Sequence, residues 1–205
     1  MPENARSLRL PQLPLKPLGE TLLFASNFLR HPHMLGSIIP SSRFLVDLVL
    51  EPIDWERARV IVEYGPGVGT FTGEILRRMR SDTQLVAIET NRDFVGFLNR
   101  AFPDPRLHVV QDSAAEVQAV LTRLALPAPR YIISGIPLGS MPDPVRTDIV
   151  VKSRAALESG GAFLVYQFTA RVLPTLQRTF GDVRRSFERR NFPPAQLFLC
   201  TTQGA

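Results

Sequence analysis

Three acidic residues and a run of glycines carry the chemistry that the sequence offers. Val60-Ile61-Val62-Glu63-Tyr64-Gly65-Pro66-Gly67-Val68-Gly69-Thr70 reads as an apolar strand that enters a glycine-rich turn and opens a helix. The helix start adds unsatisfied N–H groups. The glycines fall as G-x-G-x-G, not as the G-x-G-x-x-G of a dinucleotide fold. The carboxylate of Glu63 at the strand end would repel a pyrophosphate and attract an amino group. A second acid, Glu89, followed by Thr90, ends the next apolar run. An acid about 20 residues beyond such a turn accepts hydrogen bonds from ribose hydroxyls. A third, Asp112, followed by Ser113, ends the run after that and suits an adenine amino group. The alternative is a tight turn with three acids that only cap strands and helices.

The elements that must position these residues alternate. Strands are predicted at 59–64, 84–89, 107–111, 130–134 and 162–168, with helices at 69–79, 92–102, 114–124, 145–157 and 172–180 between and after them. Two last strands, 183–190 and 196–201, flank Asn191-Phe192-Pro193-Pro194 as an antiparallel hairpin. This order predicts an α/β fold, a Rossmann-like, mainly parallel sheet with helices on both faces. Ahead of it, residues 17–30 have helical apolar spacing, and a second helix with Phe44, Leu45, Leu48 and Val49 follows Ser41 as N-cap. The expected division is an N-terminal arm with amphipathic helices over 1–45, acting at a membrane or as a lid, and a catalytic domain over 46–205.

Composition narrows the class. One cysteine, Cys200, excludes an internal disulfide framework, and no apolar run approaches the roughly 20 residues of a membrane-spanning helix. The first 15 residues hold charges and three prolines but no apolar segment, so no secretory signal is expected. The net charge of +5 is almost all arginine, since Lys16 and Lys152 are the only lysines. Arginine suits phosphate oxygens. The histidines and the cysteine have no metal-ligand spacing, so no metal is expected.

These residues resemble the class I methyltransferases over about residues 36 to 201. Glu63 to Gly69 is similar to their first motif, with Gly65, Gly67 and Gly69 in the turn. Glu89 with Thr90 corresponds to their ribose-binding segment, and Asp112 with Ser113 to their adenine-binding segment. The resemblance implies a seven-stranded sheet, its last strand antiparallel, and S-adenosylmethionine as methyl donor.

Within that class, Ser134-Gly135-Ile136-Pro137-Leu138 stands where the rRNA adenine dimethyltransferases have Asn-(Leu or Ile)-Pro-(Tyr or Phe). The asparagine and the stacking aromatic are missing, and a leucine has no π-face for a flipped base. The chain also ends without the helical RNA-binding domain of those enzymes, so no nucleic-acid partner is expected. Phe28-Leu29-Arg30, 36–42, 134–138, Val165-Tyr166-Gln167-Phe168-Thr169 and 191–195 resemble the bacterial phospholipid N-methyltransferases, which methylate phosphatidylethanolamine towards phosphatidylcholine. Ornithine-lipid N-methyltransferases are relatives of the same kind.

That likeness implies a set of roles. Ser134, Gly135 and Tyr166 become the catalytic candidates that orient an amine, and Ser134 also borders the cofactor. Ile136, Pro137, Phe168 and Arg171 become candidates for the substrate. Tyr166 and Phe168 would face a cationic headgroup. The alternative for both is packing within the fifth strand, for Phe168 above all. Arg171 would pair with a lipid phosphate. The 17–30 helix, with Arg6, Arg9, Lys16, Arg30 and Arg43, would lie on an anionic membrane. Its alternative is packing on the sheet. Arg184, Arg185, Arg189 and Arg190 are either lipid contacts or a solvated strand face. The expectation is a monomer, cytoplasmic and held peripherally at the inner membrane face, with an aminophospholipid as substrate.

Overall fold

A computed structural model describes residues 41–202. The arm, the 17–30 helix and the domain division drawn from them concern residues outside that range. Helix α1 (Arg43–Leu50) starts one residue later than predicted: Ser42, not Ser41, is its N-cap, accepting from Leu45 N at 3.2 Å. Its Leu45, Val46, Val49 and Leu50 are buried.

Five strands follow in parallel: β1 (Val60–Tyr64), β2 (Gln84–Glu89), β3 (Leu107–Gln111), β4 (Tyr131–Ser134) and β5 (Ala162–Gln167). Between them lie α2 (Thr70–Arg78), α3 (Arg92–Ala101), α4 (Val117–Arg123) and α5 (Asp143–Ala156). Then come α6 (Leu173–Phe180), β6 (Val183–Glu188) and β7 (Ala195–Thr201). The sheet order is β3-β2-β1-β4-β5-β7-β6, and β7 alone runs antiparallel, inserted between β5 and β6. The seven-stranded Rossmann-like expectation is met.

Most predicted limits hold within two residues. The helix expected at 114–124 is a 3-10 turn at Ala114–Glu116 followed by α4. The strand expected to reach Phe168 ends at Gln167, and the one expected to reach Arg190 ends at Glu188.

Strand residues alternate between two apolar layers. Val60, Val62, Tyr64, Ile132 and Phe163 pack with α4, α5 and α6. Ile61, Leu85, Ile133 and Leu164 pack with α1 and α2. Strands β1, β2, β4 and β5 have buried, near-continuous apolar runs because both faces are covered, while β3 at the sheet edge is only half-buried. The chain leaves β1 towards β3 and returns to β4 on the other side. The order therefore reverses between β1 and β4, and a crevice opens there at the carboxyl ends.

The turn after β1 depends on glycine. Gly65, Gly67 and Gly69 all have positive φ, and Gly69, at 79°, is the N-cap of α2. A Cβ on Gly69 would meet the Phe102 ring at 2.3 Å. Gly69→Ala should therefore cost about 2–4 kcal/mol, as left-handed backbone strain plus overpacking. Gly160→Ala, at φ 73° but in open space, should cost only about 1–2 kcal/mol. Urea unfolding of the two variants checks the difference; equal losses would show that Phe102 yields without cost.

Candidate active site

Parallel pairing brings the three acids to one rim. Glu63 is one residue from the end of β1, Glu89 ends β2, and Asp112 follows β3, its N–H donating to Glu89 O at 3.1 Å. The Glu63 side chain is 3% exposed and Glu89 is 5% exposed. Glu63 Oε2 accepts from Thr72 Oγ1 at 2.7 Å, in the first turn of α2. Glu89 Oε2 accepts from Gly67 N at 3.2 Å, while Oε1 accepts from Asn91 N at 2.9 Å and faces Thr90 Oγ1 at 3.5 Å. Neither carboxylate forms an ion pair among the described residues. Burial, opposed by the Thr72 hydrogen bond and reinforced by the charge of Glu89, pushes the Glu63 carboxyl up to about 7.

Asp112 is more open. Its Oδ1 accepts from Ser113 N at 2.9 Å and its Oδ2 pairs with Arg123 at 3.2 Å. Ser113 caps the following 3-10 turn.

The loop after β4 closes the other side. Gly65 and Ile136 touch, since a Cβ on Gly65 would lie 2.6 Å from Ile136 Cγ2. A Cβ on Gly135 would lie 2.2 Å from Tyr166 Oη, so this loop and the end of β5 are in close contact. The Tyr166 ring stacks on Phe71 of α2, with centroids 4.8 Å apart. Its phenol is raised well above its usual range by burial, then by the charge of Glu63, against a hydrogen bond with the Ser41 side chain. It stays protonated at neutral pH.

Gly135, Ile136, Pro137 and Tyr166 thus converge beside Glu63. The Ser134 side chain shares the sheet face of its partners Tyr64 and Val165, is fully buried, and has no hydrogen-bond partner for its hydroxyl among the described residues. Phe168 does not pack inside the sheet: it lies past the end of β5, 37% exposed. Arg171 is exposed two residues before the start of α6.

Several residues escaped the sequence reading. Thr72 binds Glu63, and Phe71 supports Tyr166. Gln167, 7% exposed, clamps the post-β4 loop, donating from Nε2 to Ile136 O at 2.8 Å and accepting from Gly139 N at 3.1 Å. Its signal was a lone amide ending the apolar run Ala162-Phe163-Leu164-Val165-Tyr166.

Two buried carboxylates with no cationic partner, beside a glycine turn, fit a ligand that is positively charged and carries hydroxyl and amino donors. A sulfonium nucleoside with an amino-acid tail has that chemistry.

Comparisons with known proteins agree. The family model described as ribosomal RNA adenine dimethylase matches residues 23–181. The ornithine lipid N-methyltransferase of Singulisphaera acidiphila is 30% identical over 191 residues, covering 89% of this chain and 96% of that protein. Ribosomal RNA small subunit methyltransferase A of Laribacter hongkongensis is 31% identical over 91 residues, which are 29% of its length. The N-methyltransferase NodS of Bradyrhizobium japonicum, solved with S-adenosyl-L-homocysteine, superposes with a TM-score of 0.62 at 14% identity, covering 85% of this chain and 87% of that one.

A raised Glu63 pKa has a defined sign. Stability should fall as pH rises from about 4.5 to about 7, because over that range the unfolded chain has released the Glu63 proton while the folded state still holds it, so folding must take a proton up. At pH 8, Glu63→Gln should be more stable than the parent by about 3 kcal/mol; at pH 4.5 the two should match. Affinity for S-adenosylhomocysteine should rise with pH through 7 in the parent and stay flatter and at least roughly tenfold weaker in the variant. Urea unfolding and calorimetry at both pH values check these outcomes.

Proposed function

Because the chain belongs to the ribosomal RNA adenine dimethylase family, we propose that this member turns the family's chemistry on the primary amine of a membrane aminolipid. It is an enzyme, an S-adenosylmethionine-dependent N-methyltransferase with the Rossmann-like fold of that class. The observation that carries the lipid reading is the relative from Singulisphaera acidiphila, matched along almost its whole length. Ornithine lipid is therefore the first substrate to test. Phosphatidylethanolamine is the second, on the likeness of residues 36–42, 134–138 and 165–169 to phospholipid N-methyltransferases. Both headgroups set a primary amine beside an anion, and Arg171 suits either anion.

The loop chemistry argues against adenine in RNA. At the position where a flat aromatic ring would hold a base stands Leu138, fully buried in the core below the loop. Neither face of a base finds a partner in it.

The cofactor supplies an electrophilic methyl group on a sulfonium. In this reading the chain does the rest. Glu63 neutralises the positive charge at the glycine turn, and Glu89 with Thr90 accepts from ribose hydroxyls. Asp112 and Ser113 border the adenine. The post-β4 loop, clamped by Gln167 at Ile136 with Pro137 beside it, presents the Gly135 carbonyl to accept from the incoming amine. Ser134 contributes through its main chain, since its hydroxyl is enclosed. Tyr166, held protonated, is a poor base but a good hydrogen-bonding post, and its ring face can meet a methylated cation. Alignment of nitrogen with the methyl carbon is the main catalytic demand. Phe168 and Arg171 border the lipid side of the opening.

Purified protein with methyl-labelled S-adenosylmethionine and detergent-dispersed lipid should label ornithine lipid or phosphatidylethanolamine. Label on RNA with none on either lipid would overturn the proposal. Tyr166→Phe keeps the ring on Phe71 and removes the hydroxyl. It should lower kcat roughly tenfold or more with little change in S-adenosylhomocysteine affinity, read by steady-state kinetics and calorimetry.

A further inference from the structure

The β6–β7 hairpin carries exposed apolar side chains where the fold gives no reason for them. Phe192 at its tip is 85% exposed, and Phe187 is 52% exposed. Phe44, 42% exposed, sits beside it with the Arg190 guanidinium 4.0 Å from its ring centroid. Among the described residues, four of the six large apolar side chains that are exposed are phenylalanines, and the fourth is Phe168. Scattered single apolar residues are ordinary on a surface, but a cluster marks an interaction site.

The register places this cluster at the active-site rim. Gln167 at the end of β5 pairs with Gln196, which pairs with Phe187. The hairpin turn therefore leaves the sheet at the same end as Glu63, Glu89 and Tyr166. Two side chains tie it there: Asn191 Oδ1 accepts from Ser42 N at 2.9 Å, and the neighbouring Ser41 side chain hydrogen-bonds Tyr166.

The charge around it has one sign. Residues 183–194 hold four arginines and one glutamate. That glutamate, Glu188, is taken up by Arg190. Arg184, Arg185 and Arg189 are exposed and form no ion pair among the described residues.

We propose that this hairpin, with Phe192 at its tip and Phe187 and Phe44 on either side, docks the enzyme on an anionic lipid surface. Apolar rings entering the headgroup boundary, flanked by guanidinium groups at phosphate level, give the two additive terms of interfacial binding. Docking in this way sets the mouth of the site against the bilayer, so that an amine headgroup reaches Tyr166 without leaving the membrane. The benzyl side chain of Phe192 has no group to read a base edge, which favours lipid over nucleic acid. The inference rests on the aminolipid reading of the site and concerns a surface within the described residues.

The full chain is mixed with vesicles of phosphatidylcholine containing one-third phosphatidylglycerol, and with pure phosphatidylcholine vesicles. Phe192→Ser should weaken binding to the anionic vesicles roughly tenfold and leave S-adenosylhomocysteine affinity unchanged. Arg185→Gln with Arg189→Gln should weaken binding to anionic vesicles only, and the loss should shrink at high salt. In Phe192→Trp, the added emission should be quenched by lipids brominated on their acyl chains, while the parent emission from Trp55 is not. Unchanged vesicle binding by Phe192→Ser together with no quenching overturns the proposal. So does a loss of affinity for single-stranded RNA in Phe192→Ser with vesicle binding intact. Lipid methylation in detergent with no hairpin contact would sink the docking surface and keep the function. Hairpin quenching with no methylation of either aminolipid would do the reverse.

Discussion

Two carboxylates enclosed at the ends of neighbouring strands, with no cation among the described residues to balance them, are the constraint on which this structure turns. Burying an ionised group without a partner is expensive, and here Glu63 and Glu89 are each almost fully covered. The fold accommodates them with donors from the glycine turn and from α2: Gly67 N, Asn91 N and Thr72 Oγ1. Those donors are neutral and leave negative potential in the crevice. The cost is tolerated because a positively charged ligand relieves it. A domain that holds such a pair is less stable when empty and gains selectivity for a sulfonium nucleoside over a pyrophosphate one.

Most of the architecture was readable from the sequence because parallel strands covered on both faces are continuous apolar runs. Val60–Tyr64, Gln84–Glu89 and Tyr131–Ser134 were placed to within a residue for that reason. The acids were readable because strand ends in such a sheet share one rim. What sequence did not reveal was sidedness and depth. Ser134 and Glu63 lie near the ends of adjacent strands, yet alternation sends the Ser134 hydroxyl into the α4–α6 layer. The alternative weighed for Phe168, packing within β5, fails because the strand stops one residue short of it. Thr72 and Gln167 act through contacts set by helix rotation and loop closure, which spacing does not encode. Thr72 lies nine positions from Glu63 and Gln167 lies 31 positions from Ile136.

On the proposed aminolipid reading, the same topology lets a site for a soluble cofactor serve an amphiphile. The crevice between β1 and β4 is walled on one side by the glycine turn and on the other by the post-β4 loop, which Gln167 holds in place. Beyond that loop, β6 brings the chain to the same rim, and the hairpin turns there into the inserted antiparallel β7. Charge is also divided: acids line the cofactor side, and arginines cover the outer edge of the sheet. On that reading, a zwitterionic headgroup at this rim would have its anion attracted outward and its amine inward.

The most direct test of the central claim is the titration of the Glu63 carboxyl itself, followed by NMR in protein labelled with 13C-glutamate and assigned with Glu63→Gln. The account predicts a midpoint near the raised value of about 7 in the free protein, falling below about 5 when S-adenosylhomocysteine is bound. An ordinary midpoint near 4.5 in the free protein, unmoved by the ligand, would contradict it.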